Sequence, residues 1–219
     1  DILSDLNIEI IGATSSGEFI DGHQSEGEMV VMLLDIHKDH YRILLEDIGQ
    51  KSVEESTNHM VEQAFQTFQK PAFILLTTLI KSDGVFLDGE GVVDFMEKTA
   101  GPDITMFGGM AGDDISFTGT WVFTNHKTTD YGMAALVLNE EKIALQGLAF
   151  SGWKPMGVSR TVTKSEGNSI YSIDHRPALE IYLRLLGHHA STLEDQINFF
   201  DTVGAVSYTH LTLPTIYSV

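Results

Sequence analysis

The stretch Ile104–Asp114, Ile-Thr-Met-Phe-Gly-Gly-Met-Ala-Gly-Asp-Asp, constrains the chain more than any other. A short apolar run (Ile104, Met106, Phe107) reads as a buried strand that breaks into Gly108-Gly109 and then Gly112, with Asp113 and Asp114 directly behind. Glycines packed this closely mark a backbone that turns where a Cβ would clash or that approaches another chain segment closely. An earlier stretch, Ile8–Phe19, has the same form of strand, glycine, small residues, glycine and acid.

The likeness continues downstream. Met29–Asp35 and Tyr41–Ile48 follow the first stretch as two apolar runs; Tyr131–Leu138, the turn Asn139-Glu140-Glu141 and Lys142–Phe150 follow the second. Each copy reads as strand, small-residue turn, loop and hairpin, which predicts two similar half-modules packed together. The second copy is preceded by a strand at Phe73–Ile80 and a helix around Val92–Thr99, the first only by Asp1–Asn7. On this reading the chain lacks an opening strand and most of a helix at its start.

Between the copies, Ser52 and Glu55 form a capping box, and Met60, Val61, Ala64, Phe65 and Phe68 make one apolar face of a helix stopped by Lys70-Pro71. His59 falls at the boundary of that face. The near-continuous apolar run Phe73–Ile80 predicts a central strand covered on both sides. Asp83-Gly84 and Asp88-Gly89 read as turns, and Gly101-Pro102 closes the second helix. Farther on, Thr161–Thr163 and Ser169–Ile173 read as a hairpin about Glu166-Gly167-Asn168. Pro177 starts a helix with Leu179, Tyr182, Leu185 and Leu186 on its face, and Ser191 with Glu194 caps one more.

Several function classes are disfavoured. A dinucleotide fingerprint needs a helix opening on the glycines, whereas Ile115-Ser116-Phe117 and Trp121–Thr124 read as strand, and two aspartates oppose a phosphate. Asp113 and Asp114 point to opposite faces of a strand, which suits turn capping better than a metal. The formal net charge of −18 repels phosphate backbones and anionic membranes. With no cysteine there are no disulfides, thiolate metal sites or cysteine nucleophile. No apolar run approaches the ~20 residues of a membrane-spanning helix, and no secretory signal is visible. No nucleophile has an obvious base, so no enzyme is expected. These features fit a cytoplasmic protein.

Taken in order, Phe107-Gly-Gly-Met-Ala-Gly-Asp-Asp, the Val-Phe-Thr-Asn strand, Ser151-Gly-Trp-Lys-Pro-Met-Gly, Thr161-Val-Thr-Lys-Ser-Glu-Gly-Asn and Ile173-Asp-His-Arg-Pro-Ala-Leu resemble the FIST domain, as does the earlier Ile11-Gly-Ala-Thr-Ser-Ser-Gly-Glu. The resemblance covers about Ile8–Gly187 and implies an intracellular sensory module of bacterial-type signal transduction. Such modules are thought to bind small ligands such as amino acids, alone or fused to signalling output domains; some members bind haem and respond to nitric oxide. The resemblance carries no ligand residues with it.

The expected fold is α/β (α+β), a mixed, largely antiparallel sheet from two similar half-modules with helices packed on it. Residues 1–151 are expected to be the FIST N-terminal region and 152–205 the opening of the C-terminal region. The expected ligand site lies where Thr14, Ser15 and Ser16 meet Gly109, Met110, Gly112, Asp113 and Asp114, since small residues leave space and turn amides with hydroxyls supply donors. Trp153, at a strand break, would either close a small-molecule pocket or pack over a domain seam. The expected partners are a small-molecule ligand and a signalling output protein or domain, with no cofactor and no metal. The alternatives are a haem sensor, with His126 and His175 as axial candidates, and a ligand-free interaction module. From Val206 to Val219 there is no Asp, Glu, Lys, Arg or Gly, and Val206–Thr215 resembles one reading frame of the transposon-end adapter used in sequencing libraries. Residues 206–219 are therefore expected to be adapter read-through, with native sequence ending near Ala205.

Overall fold

The computed structural model describes residues 8–114, 116–148, 158–166 and 169–185. They fall into two compact units on either side of the Ala149–Phe150 junction.

The first unit is built on a four-stranded sheet of β4 (Tyr41–Asp47), β9 (Gly132–Asn139), β5 (Pro71–Thr77) and β6 (Met106–Met110), in that spatial order. β9 runs antiparallel to both β4 and β5, while β5 and β6 are parallel. The parallel pair is joined through α2 (Gly89–Ala100), because parallel neighbours need a crossover. β5 and β9 are nearly continuous in apolar residues because both of their faces are covered. Alternate residues Leu44, Phe73, Leu75, Met133, Ala135 and Val137 meet Met60, Val61 and Ala64 of α1 (Val53–Thr67) and Val92 and Met96 of α2 in the main core.

The opposite face carries Ala72, Leu136 and Leu138, with Ile43 and Ile74 beside them. Next to these lies a second cluster of Ala111, Val122 and Ala134 with Ile11, Ala13, Leu45 and Leu76. This cluster brings in a small sheet of β1 (Ile11–Ala13), β7 (Val122–Thr124) and β8 (Thr128–Thr129), all antiparallel. A hairpin, β2 (Glu18–Ile20) with β3 (His23–Ser25), follows β1.

Local chemistry explains the helix limits. The Ser52 hydroxyl accepts the Glu55 amide at 3.0 Å, and α1 ends before Pro71, where β5 begins. Asp88 accepts the Gly91 amide at 2.9 Å, so Asp88-Gly89 is the opening of α2 rather than a free turn. Gly101, with φ 99°, ends it.

The second unit holds the expected hairpin, β10 (Val162–Glu166) with β11 (Ser169–Ile173), extended by β12 (Arg176–Pro177) and followed by α3 (Ala178–Leu185). The structure is thus mixed α+β, with mostly antiparallel sheets.

Five local expectations need correction. Gly108-Gly109 does not turn: β6 runs through both glycines, and the chain bends only from Ala111. Lys142–Leu148, the described part of the second expected hairpin strand, is not a strand; β9 already has β4 and β5 on its two edges, and Ile143 and Leu145 pack on the sheet face instead. Met29–Asp35 is not a strand either. Met29–Leu34 is apolar at every position and has no alternation to choose a face, and the 3₁₀ turn Lys38–His40 separates the run from β4. Ser116-Phe117 is irregular, with Phe117 at φ 51°. On the helices, Phe65 is exposed, and α3 buries Ile181 and Leu183 rather than Leu179 and Leu185. Residues two apart point about 200° away from each other on a helix, so α3 is covered from two directions, not one. Leu186, His188-His189, the Ser191–Glu194 cap and the tail 206–219 lie outside the described residues.

Candidate functional site

The two glycine stretches, distant in sequence, meet. β1 ends at Ala13, and Thr14 donates its amide to the Trp121 carbonyl at 2.9 Å while its hydroxyl accepts the Trp121 amide at 3.0 Å. The Thr14 carbonyl then accepts the Gly112 amide at 2.9 Å. On the other side, Ala111 donates to the Thr77 carbonyl at 2.7 Å, so this turn hangs from the carboxyl ends of the parallel pair β5–β6. Crevices at such strand ends are the usual ligand positions of open α/β sheets.

The glycines have separate reasons. A Cβ on Gly112 would lie 2.9 Å from the Ser16 nitrogen and 3.1 Å from its hydroxyl, so only glycine lets the two stretches close. A Cβ on Gly108 would lie 1.8 Å from the Leu75 carbonyl oxygen, so this glycine serves the β5–β6 pairing. Gly109 has nothing within 4 Å of its Cβ position and faces open space. Met110 turns its thioether to the start of α2, where a Cβ on Gly89 would lie 2.8 Å from sulfur.

The remaining seam residues are arranged by short polar contacts. Ser15 Oγ donates to Glu18 Oε1 at 2.6 Å, and Glu18 Oε2 accepts the Glu28 amide at 3.2 Å. Asp113 accepts the Ser116 hydroxyl at 3.2 Å and the Thr118 amide at 3.1 Å, which is turn capping. Asp114 is exposed. Thr14, Ser16 and Gly112 therefore converge; Met110 turns to α2 instead, Ser15 and Asp113 serve their own loops, and Trp153 lies outside the described residues. Among the described residues no group of three or more His, Cys, Asp or Glu is placed to hold a metal ion.

The two haem candidates are in different units. His126 is exposed and donates its amide to Thr124 Oγ1 at 3.4 Å. His175 is exposed, with φ 62°, and donates its amide to Thr163 Oγ1 at 3.0 Å.

One polar cluster escapes the sequence reading. Glu46 of β4, buried, accepts His59 Nδ1 at 2.6 Å and Gln63 Nε2 at 3.0 Å, with Lys51 Nζ 3.5 Å away. The signal was available: strand alternation puts Glu46 on the inward side with Leu44 and Ile48, and an inward carboxylate demands partners. Beside it, Lys51, Glu55, Asn58, His59 and Glu62 line an open depression of about 430 Å³. It is an open hollow on α1 lined by charged and amide-bearing residues, and it contains no seam residue.

Fold and seam together define a mixed α+β domain that presents a small-residue turn between two sheets. No helix among the described residues is long and apolar enough to cross a membrane. The family model of the FIST N domain matches residues 3–176, and the chain belongs to that family of signal-transduction sensor domains. No curated protein and no solved structure matches the chain.

Proposed function

We propose that the protein is a cytoplasmic, non-enzymatic sensor that binds a small metabolite, such as an amino acid, at the seam of Thr14–Ser16 with Gly109–Asp114, and passes the signal to an output protein or domain. The observation that carries this reading is the pairing of open space at Gly109 with Gly112 pressed against Ser16. The first leaves room for a ligand, and the second brings the Ser16 hydroxyl to the turn beside that of Thr14, as donors for a carboxylate or carbonyl. A nucleic-acid partner is disfavoured by the net charge of −18.

A thermal-shift screen of amino acids and related metabolites tests the reading. Ligand should raise the Tm of wild type by mass action and have no effect on Gly109→Val, whose side chain fills the open space. A wild type that no metabolite stabilises refutes it. The haem alternative predicts a sharp Soret band lost on His126→Ala or His175→Ala; the exposure of both rings favours no such band. A ligand-free interaction module would show neither response.

A further inference from the structure

Met29, Val30, Val31, Met32, Leu33 and Leu34 are six consecutive large apolar residues, all exposed; Met29 and Leu33 expose 81% and 79% of their surface. Isolated exposed apolar residues are ordinary, but contiguous patches beyond a few hundred Å² mark interaction surfaces. This one amounts to roughly 700 Å² per copy, close to the ~800 Å² per partner of a specific interface. Among the described residues, 29–35 take part in no strand ladder.

A matching acceptor lies on the same chain. β4 has β9 on one side and, among the described residues, no strand on the other. An open edge of this kind is a template for another strand. Its range 41–47 equals 29–35 in length, and Ile36 to His40, with the 3₁₀ turn closed by His37 accepting the Asp39 amide, stands between them. Placing Asp35 opposite Arg42, both exposed, pairs opposite charges and sets Leu34 beside Ile43 and Met32 beside Leu45 in an antiparallel register.

We propose that the run Met29–Asp35 of one copy adds as an antiparallel strand to the β4 edge of a second copy, and reciprocally, so that the protein is a symmetric dimer. The exchange uses both runs and both edges, so assembly closes at two. The run itself carries no charge until Asp35, but each copy has a net charge of −18, so added salt strengthens the dimer by screening repulsion.

Light scattering coupled to size exclusion, on the full chain over a dilution series, should show a dimer that gains strength with salt. The double variant Val31→Glu/Leu33→Lys should be monomeric and still fold cooperatively, its far-UV spectrum losing only the strand signal of the exchanged run. The absence of cysteine allows a second test independent of that variant's folding. Asp35→Cys/Arg42→Cys, mildly oxidised, should give a disulfide-linked dimer on a non-reducing gel. A wild type that is monomeric throughout, an open-ended oligomer series, or a dimer that survives the charged pair overturns the proposal. So does an absent or intrachain disulfide, the latter meaning that the run folds back on its own β4.

Discussion

Replacing Gly108 by alanine places a Cβ 1.8 Å from the Leu75 carbonyl oxygen, whereas the same change at Gly109 meets nothing within 4 Å. Real Cβ contacts do not fall below 3.0 Å, so β6 must move at least 1.2 Å away from β5 at Gly108. Ladder hydrogen bonds on either side then stretch beyond bonding distance. Losing about two of them at ~1 kcal/mol each, with ~1–2 kcal/mol for disturbed packing, gives a destabilisation of about 3–4 kcal/mol. Gly109→Ala should instead be neutral or stabilising by up to ~0.5 kcal/mol, because alanine restricts the unfolded chain. Urea unfolding followed by circular dichroism resolves the pair: with a slope near 2 kcal/mol/M the midpoints should differ by about 2 M. Midpoints that coincide, or a Gly109 variant weaker than the Gly108 one, would refute the assignment of Gly108 to strand pairing and Gly109 to open space.

Ser52→Ala removes the α1 cap and should lower stability by about 1 kcal/mol in the same urea assay. Thr14→Val strands the Trp121 amide and should cost about 1 kcal/mol; calorimetry should also show weakened binding of any metabolite that stabilises wild type. The Thr105 hydroxyl, and after it the Lys70 ammonium, hold the Glu140 carboxyl below its ordinary range. A lowered folded-state pKa contributes stability that is present above the unfolded value, about 4.3, and is lost as pH falls through the folded value. Glu140→Gln should therefore flatten the acid limb of a Tm-against-pH curve while leaving its slope near neutrality unchanged.

The elements legible in the sequence were those whose signal is local. Ser52 with the apolar spacing of Met60, Val61 and Ala64 specified α1, and Gly101-Pro102 ended α2. The apolar continuity of Phe73–Thr77 gave away a strand covered on both faces. What failed depended on neighbours. Lys142–Leu148 has strand composition, but β9 had no edge left for it. The roles of Gly108 and Gly109 are set by Leu75, more than thirty positions earlier, and nothing in the order Gly-Gly separates them. At the seam, small residues and glycines marked Thr14–Ser16 and Met110–Gly112, yet their contact is fixed by Trp121, whose backbone binds Thr14 from a third direction.

That last arrangement makes Thr14 a single clasp on a loop. Its carbonyl holds Gly112, its hydroxyl and amide hold Trp121, and the whole segment 113–120 lies between the two attachments. The far end is fastened again where Thr120 Oγ1 accepts the amides of Leu79 and Ile80 at 2.8 and 3.1 Å. Loosening Thr14 therefore frees the Gly112 and Trp121 amides in one event while Thr120 still holds the far end, and the two amides should exchange with solvent at a common opening rate. Whatever reaches the turn from one side is felt by the small sheet and by the carboxyl ends of β5 and β6 together, because one residue is bonded to both.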